Sequence, residues 1–146
     1  MIRSLLPGEM DVLIELWLAS TIDAHPFIAR SYWVESESIV RNVYIPQSRT
    51  WVYVAQEKIV GFISILDKRF IGALFVDNAF SGKGIGSALI KHVQAHYPEL
   101  SLEVYQKNQR AVHFYYRQGF RIEEGAWQAE TRHPTWIMSW RADRTP

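Results

Sequence analysis

Residues 70–93, FIGALFVDNAFSGKGIGSALIKHV, contain the change of period on which the fold turns. The first seven, FIGALFV (70–76), have the apolar, β-branched and aromatic composition of a strand. From Ile85 onward, Ile85, Ala88, Leu89, His92 and Val93 repeat at three and four, the spacing of one helix face. Between them SGKGIGS (81–87) sets glycines at 82, 84 and 86. Two readings of that turn stand side by side. One is a plain strand-to-helix connection. The other is a cradle for an anion, because glycines let the backbone come close while amide N–H groups and the positive end of the helix point at the ligand. Lys83 adds a charge to the second reading. The spacing is G-x-G-x-G, so neither the dinucleotide fingerprint nor the P-loop fits. A pyrophosphate held mainly by backbone amides is the ligand class that remains.

Upstream, residues 2–4 read as a short strand. Pro7, Glu9 and Asp11 favour a helix start, and Met10, Leu13, Ile14, Trp17 and Leu18 continue it at helical spacing. The aromatic stretch AHPFIARSYW (24–33) reads as irregular. A second short helix is expected over 35–44, ended by Pro46. WVYVA (51–55) and IVGFISIL (59–66) read as strands joined by the polar turn QEK (56–58), and DKR (67–69) leads into 70–76. Such short links imply antiparallel hairpins. Gly72, inside a strand, marks a bulge or a close approach of backbone.

Downstream, LSLEVY (100–105) is a strand and NQRAVHFYYRQGF (108–120) a short helix, opened by Asn108 and closed by Gly119. RIEEGAW and PTWIMSW read as two terminal strands. The order is β-α-α-β-β-β-α-β-α-β-β. It predicts one α+β domain over residues 1–146, with a mixed, mostly antiparallel twisted sheet flanked by helices.

Composition narrows the function. Hydrophobic residues make up 48% and charged residues 21% of 146, an ordinary globular balance. The net charge of +1 argues against a general nucleic-acid binder. With no cysteine there is no disulfide, cysteine metal site or thiol nucleophile. Five scattered histidines do not suggest a metal centre; His92 and His96 read as neighbours on a solvated helix face. No apolar run approaches a membrane span, and a soluble cytoplasmic protein is expected.

Two motifs in order give a resemblance. ALFVDNAFSGKGIGSALI (73–90) resembles the acetyl-CoA motif Gln/Arg-x-x-Gly-x-Gly/Ala of the GNAT superfamily of N-acetyltransferases, with Gly84 and Gly86 at the glycine positions. Ser81 stands where that pattern has Gln or Arg. NQRAVHFYYRQGF matches the superfamily's downstream helix through Asn108, Ala111, Phe114, Tyr115, Gly119 and Phe120. LEVYQKN and PTWIMSW look most like an enterobacterial group within it that is associated with acetylation of protein lysines.

The resemblance implies direct transfer of an acetyl group from acetyl-CoA to an amine, without an acyl-enzyme and without a metal. The amides of Gly82, Lys83, Gly84, Ile85, Gly86 and Ser87 then hold the pyrophosphate. The exposed backbone of Leu74, Phe75 and Val76 pairs with the pantetheine arm as an added strand. Asn108 serves that arm, caps its own helix, or does both.

Tyr115 takes the position of the general acid that protonates the leaving thiolate; a packed core tyrosine is the other reading. Adjacent Tyr116 cannot share its helix face. A free lysine, with pKa about 10.4, is neutral in about one molecule in 2,500 at pH 7, a deficit of about 4.6 kcal/mol. Glu103 is the candidate base, with Leu102 and Val104 on the opposite strand face; a solvent-facing residue is the alternative. His25 and Glu35 are further candidates. Phe70, Trp33 and Tyr32 are candidates to line the acceptor cleft, where aromatic walls pack an aliphatic stem. Small-molecule amines, a non-catalytic acyl-CoA module and a transfer-RNA acetylating toxin remain rival readings.

Overall fold

The computed structural model describes residues 1–144. Its elements are β1 (Ile2–Ser4), α1 (Met10–Ala24), α2 (Arg30–Ile39), β2 (Arg49–Ala55), β3 (Lys58–Leu66), β4 (Phe70–Val76), α3 (Ile85–His96), β5 (Glu99–Tyr105), α4 (Gln109–Arg117), β6 (Arg121–Gln128) and β7 (His133–Arg141). This is the expected order. The strands form one sheet, β1-β2-β3-β4-β5-β7-β6. Every neighbouring pair is antiparallel except β4 and β5, which run parallel.

Alternation along the strands gives the sheet two cores. On one face α1 packs Leu13, Ile14 and Trp17 against Val52 and Phe62. On the other, Ile85, Leu89, Ile90 and Val93 of α3 meet Val60, Ile63, Leu100, Leu102 and Val104. Burying each such side chain contributes about 1.5–3 kcal/mol.

The region before β2 departs from the expectation. Winding starts at Arg30, so part of the stretch read as irregular is helical. It also does not stop at Pro46: Val40–Tyr44 form a π turn and Ile45–Gln47 a further helical turn. The π turn is the physical reason. Proline has no N–H and its ring strikes the carbonyl four residues back. Here the spiral has already widened, with the Ile45 N–H bonded to the Val40 carbonyl, before Pro46 is reached.

The hairpin turns fall where expected, at Gln56–Glu57 and Asp67–Lys68. Both residues of each pair have positive φ, 53° and 64°, then 50° and 72°. Such paired left-handed residues match the right-handed twist of the flanking strands. Gly72 is the bulge residue: Ser64 pairs with Ala73 and Ile65 with Ile71, which leaves Gly72 out. A Cβ there would lie 2.8 Å from Leu66 Cδ1. Among the described residues no helix is long and apolar enough to cross a membrane.

One feature of the sheet places the site. β4 and β5 pair at Phe70 and Ser101, and the Ser101 N–H reaches the Arg69 carbonyl at 2.9 Å. No further β4–β5 register pair forms beyond that point. The strands splay apart toward the ends that carry Val76 and Tyr105.

Candidate active site

A cleft of about 780 Å³ opens in the splay. Residues 71–76 of β4 and 102–105 of β5 form its sides, and the loop before α3 and the first turns of α4 close one end. Thr21 of α1, its C-cap His25 and Trp33 of α2 stand at the other end. Because β4 lacks a partner on its β5 side here, that edge of the backbone of Leu74, Phe75 and Val76 is available to an extended ligand arm.

The three glycines do different work. Gly82 and Gly84 both have φ of +78° and open space where a Cβ would stand. Their role is backbone conformation, since L-residues are strained in that region. Gly84 caps α3 in the left-handed conformation, and the helix begins at Ile85. Gly86 lies inside the helix. A Cβ there would meet Phe114 Cζ at 3.2 Å, so this glycine lets α4 pack on α3. Ser81, Gly82, Gly84, Gly86 and Ser87 all line the cleft. The Ser87 hydroxyl accepts a hydrogen bond from Gln118 at 2.8 Å. Ile85 turns its side chain into the core and can offer only its amide.

Lys83 points elsewhere. Its Nζ sits 5.2 Å over the Phe80 ring, and the residue does not line the cleft. Instead Arg110 of α4 reaches across and donates a hydrogen bond to Ser81 Oγ at 3.3 Å. Both residues line the cleft. The cation that the sequence motif lacks at position 81 is thus present in space, from 29 residues downstream. Sequence reading missed Arg110; its place two residues after Asn108, on the first turn of a helix, was the available signal.

Asn108 caps α4, accepting a hydrogen bond from the Ala111 N–H at 3.3 Å. Its Nδ2 remains to donate into the cleft, which it lines. Tyr115 lines the cleft from the same helix, its ring 5.3 Å from Phe114 and 5.7 Å from Phe120. Burial pushes its phenol well above the usual tyrosine value, so it stays protonated. Tyr116 faces away, exposed, with Arg121 stacked 4.0 Å over its ring.

At the opposite end, Glu103 lines the cleft and accepts a 2.6 Å hydrogen bond from the Thr135 hydroxyl. Thr135 is 2% exposed, so the carboxylate is held by a buried partner on β7. Trp33 closes this end; its indole N–H is buried with no protein acceptor among the described residues. Tyr32 packs edge-on behind it at 5.0 Å and does not itself line the cleft. Phe70 is half-buried at the start of β4, at the single β4–β5 pair, also outside the lining. Glu35 is exposed on α2 away from the lining.

His96 is exposed, as a solvated helix face requires, whereas His92 is half-buried. Trp51 is 3% exposed and spreads beneath α3, with ring centroids 5.2 and 5.5 Å from the two imidazoles. His92 Nε2 is buried without a protein partner among the described residues. Packing against that indole and partial burial set His92 apart from the exposed His96.

The cleft thus joins a splayed strand pair, a glycine-rich helix start and a buried phenol on the next helix. The Acetyltransferase (GNAT) domain family matches residues 23–138, and the chain belongs to this family. It is an acetyl-CoA-dependent N-acetyltransferase. It is 47% identical over 145 residues to the peptidyl-lysine N-acetyltransferase YiaC of Escherichia coli strain K12, covering 99% of each chain. It is 34% identical to the peptidyl-lysine N-acetyltransferase YjaB of that strain over 78% of this chain and 77% of the relative. The solution structure of apo YjaB from Escherichia coli superposes with a TM-score of 0.82 at 29% identity, covering 96% of both chains.

Proposed function

We propose that this enzyme acetylates lysine side chains of proteins. The observation that carries the reading is the far end of the cleft, where the Glu103 carboxyl group and an aromatic wall that includes Trp33 line the same space. An acceptor with a long aliphatic stem and a terminal ammonium suits that arrangement. The names of the two relatives, both peptidyl-lysine acetyltransferases, support the same substrate class.

The geometry supports the following roles. The amides of residues 82–87 and the Arg110 guanidinium hold the pyrophosphate. The free backbone of 74–76 pairs with the pantetheine arm, and Asn108 donates to it. An amide of β4 polarises the thioester carbonyl. Glu103 attracts the ammonium into line with that carbonyl and serves as its base. The amine attacks, the C–N bond forms, and the C–S bond breaks. Tyr115 gives its proton to the departing thiolate, a contribution of about 10²- to 10⁴-fold.

The test is incubation with acetyl-CoA and a panel of lysine peptides, protein N-termini, polyamines and aminoglycosides, read by mass spectrometry. Acetylation of the lysine peptides at Nζ is expected. Acetylation of a small amine in their place would replace the substrate, and no transfer to any of them would leave an acyl-CoA-binding module.

A further inference from the structure

His25 is a buried titratable side chain of the cleft wall that the scheme above does not use. It caps the C-terminal end of α1 and is 9% exposed. Its Nδ1 lies 2.7 Å from the Thr21 carbonyl and 3.2 Å from the Thr21 hydroxyl. A carbonyl oxygen only accepts, so the neutral ring carries its hydrogen on Nδ1. The lone pair is then on Nε2, and among the described residues Nδ1 alone has a hydrogen-bond partner. Aromatic rings wall the imidazole: Trp33 at 5.1 Å, Tyr105 at 5.3 Å and Phe27 at 5.8 Å between centroids. His25, Trp33, Glu103 and Tyr105 line the same cleft. Glu103 precedes Tyr105 by two on β5, so both side chains project from the same face of the strand.

We propose that His25 is the proton acceptor of the transfer, its Nε2 taking a proton from the acceptor ammonium while Glu103 holds that ammonium in place. The proposal rests on the acetyl-transfer reading and refines Glu103 from base to anchor. The nitrogen sheds two protons. The N–H bond that breaks first makes the imidazolium of His25 and a neutral amine, which attacks the thioester. Tyr115 protonates the thiolate as the C–S bond breaks. The second proton leaves the nitrogen after attack and restores the Tyr115 phenol. The imidazolium returns its proton to solvent, so the net products are the amide, CoA thiol and one proton.

The surroundings suit both charge states of the ring. Burial lowers the His25 pKa below the usual histidine value, so the ring is neutral and ready at pH 7. Once charged, it meets aromatic rings and the carbonyl end of α1. The other ionisable groups around it are Tyr32 behind Trp33, His133 and Lys107 behind Phe27, and Glu130, whose charge acts on Tyr32 and Tyr105. Asp23 on α1 is occupied by Asn78 at 2.9 Å.

The experiment is the pH dependence of kcat with saturating acetyl-CoA and acceptor, for the native enzyme, His25→Gln and Glu103→Gln. The native enzyme is expected to lose activity as pH falls through a value below about 6.5. His25→Gln is expected to lower kcat by about 10²- to 10⁴-fold and to abolish that limb. Added imidazole should restore part of the rate, while calorimetric affinity for acetyl-CoA is kept. A limb that survives in His25→Gln overturns the proposal, as does its absence from the native enzyme. Loss of the limb in Glu103→Gln alone returns the base to Glu103. If lysine peptides are not acetylated, the substrate reading fails separately, and the profile is run on the amine that is. Nitrogen-15 NMR of the native protein is a further check that needs no variant. A neutral His25 with its hydrogen on Nε2 would also overturn the proposal.

Discussion

Arg110 Nη2 and Ser81 Oγ stand 3.3 Å apart across the mouth of the glycine-rich loop, joining α4 to the segment that precedes α3. This contact is the spatial substitute for a cation missing from the local motif. Hydrogen bonds to charged groups contribute about 1.5–3 kcal/mol, less when solvated. Arg110→Ala is therefore expected to weaken acetyl-CoA binding by roughly tenfold in calorimetry, and Lys83→Ala by less, because Lys83 is turned toward Phe80. Ser81→Arg placed on Arg110→Ala should recover affinity. If the 3′-dephospho cofactor shows no loss with Arg110→Ala, the guanidinium serves the 3′-phosphate instead of the pyrophosphate.

Tyr115→Phe keeps the ring that packs on Phe114 and Phe120 and removes only the proton donor. We expect kcat to fall by about 10²-fold or more with little change in acetyl-CoA affinity. Equal losses in both would make Tyr115 a packing residue. Because burial raises its pKa, any alkaline loss of native activity near pH 9 belongs to another group.

Gly84 and Gly86 should answer substitution differently. Gly84→Ala forces a Cβ onto a residue with φ of +78° and should cost about 1–2 kcal/mol, a Tm loss of roughly 2–8 °C. Gly86→Ala instead presses on Phe114 at 3.2 Å. Phe114→Leu should recover Tm and cofactor affinity for the second variant and not for the first. Rescue of both, or of neither, would show that one mechanism governs the two sites.

Stability should decline on mild acidification. The unfolded chain protonates His25 and His92 near pH 6.5, while burial holds both folded rings lower. Their contribution is full above that value and is lost as pH falls through the folded values. We expect Tm to drop between pH 7 and 5, and His92→Gln to flatten the slope. Glu9, held low by its hydrogen bonds with Arg3, acts only below its ordinary value of 4.5, outside this window. An unchanged slope in His92→Gln would remove that ring from the effect.

Much of the fold was legible because period and punctuation are local. The strands of the β2–β4 meander, the bulge at Gly72 and the ends of α3 and α4 follow from alternation, glycine and the Asn108 cap. The winding through Pro46 was not. A π turn depends on how Val40 and Ile45 pack under α1, and no residue in the stretch announces it. Within the site, the backbone elements were readable and the far-reaching side chains were not. Arg110 meets Ser81, and Thr135 meets Glu103, across 29 and 32 residues.

By itself the sequence determined the element order, the glycine cradle and the motif register that separates Tyr115 from Tyr116. These are properties of neighbours within one helical turn or one strand. Only the tertiary structure decided which of the three glycines are needed for backbone and which for packing. It also turned Lys83 aside, supplied Arg110, and set His25 in an aromatic box facing the cleft. The reason is physical. A backbone conformation is chosen by a few adjacent residues, whereas the direction and protonation of a side chain are set by whatever the fold brings against it.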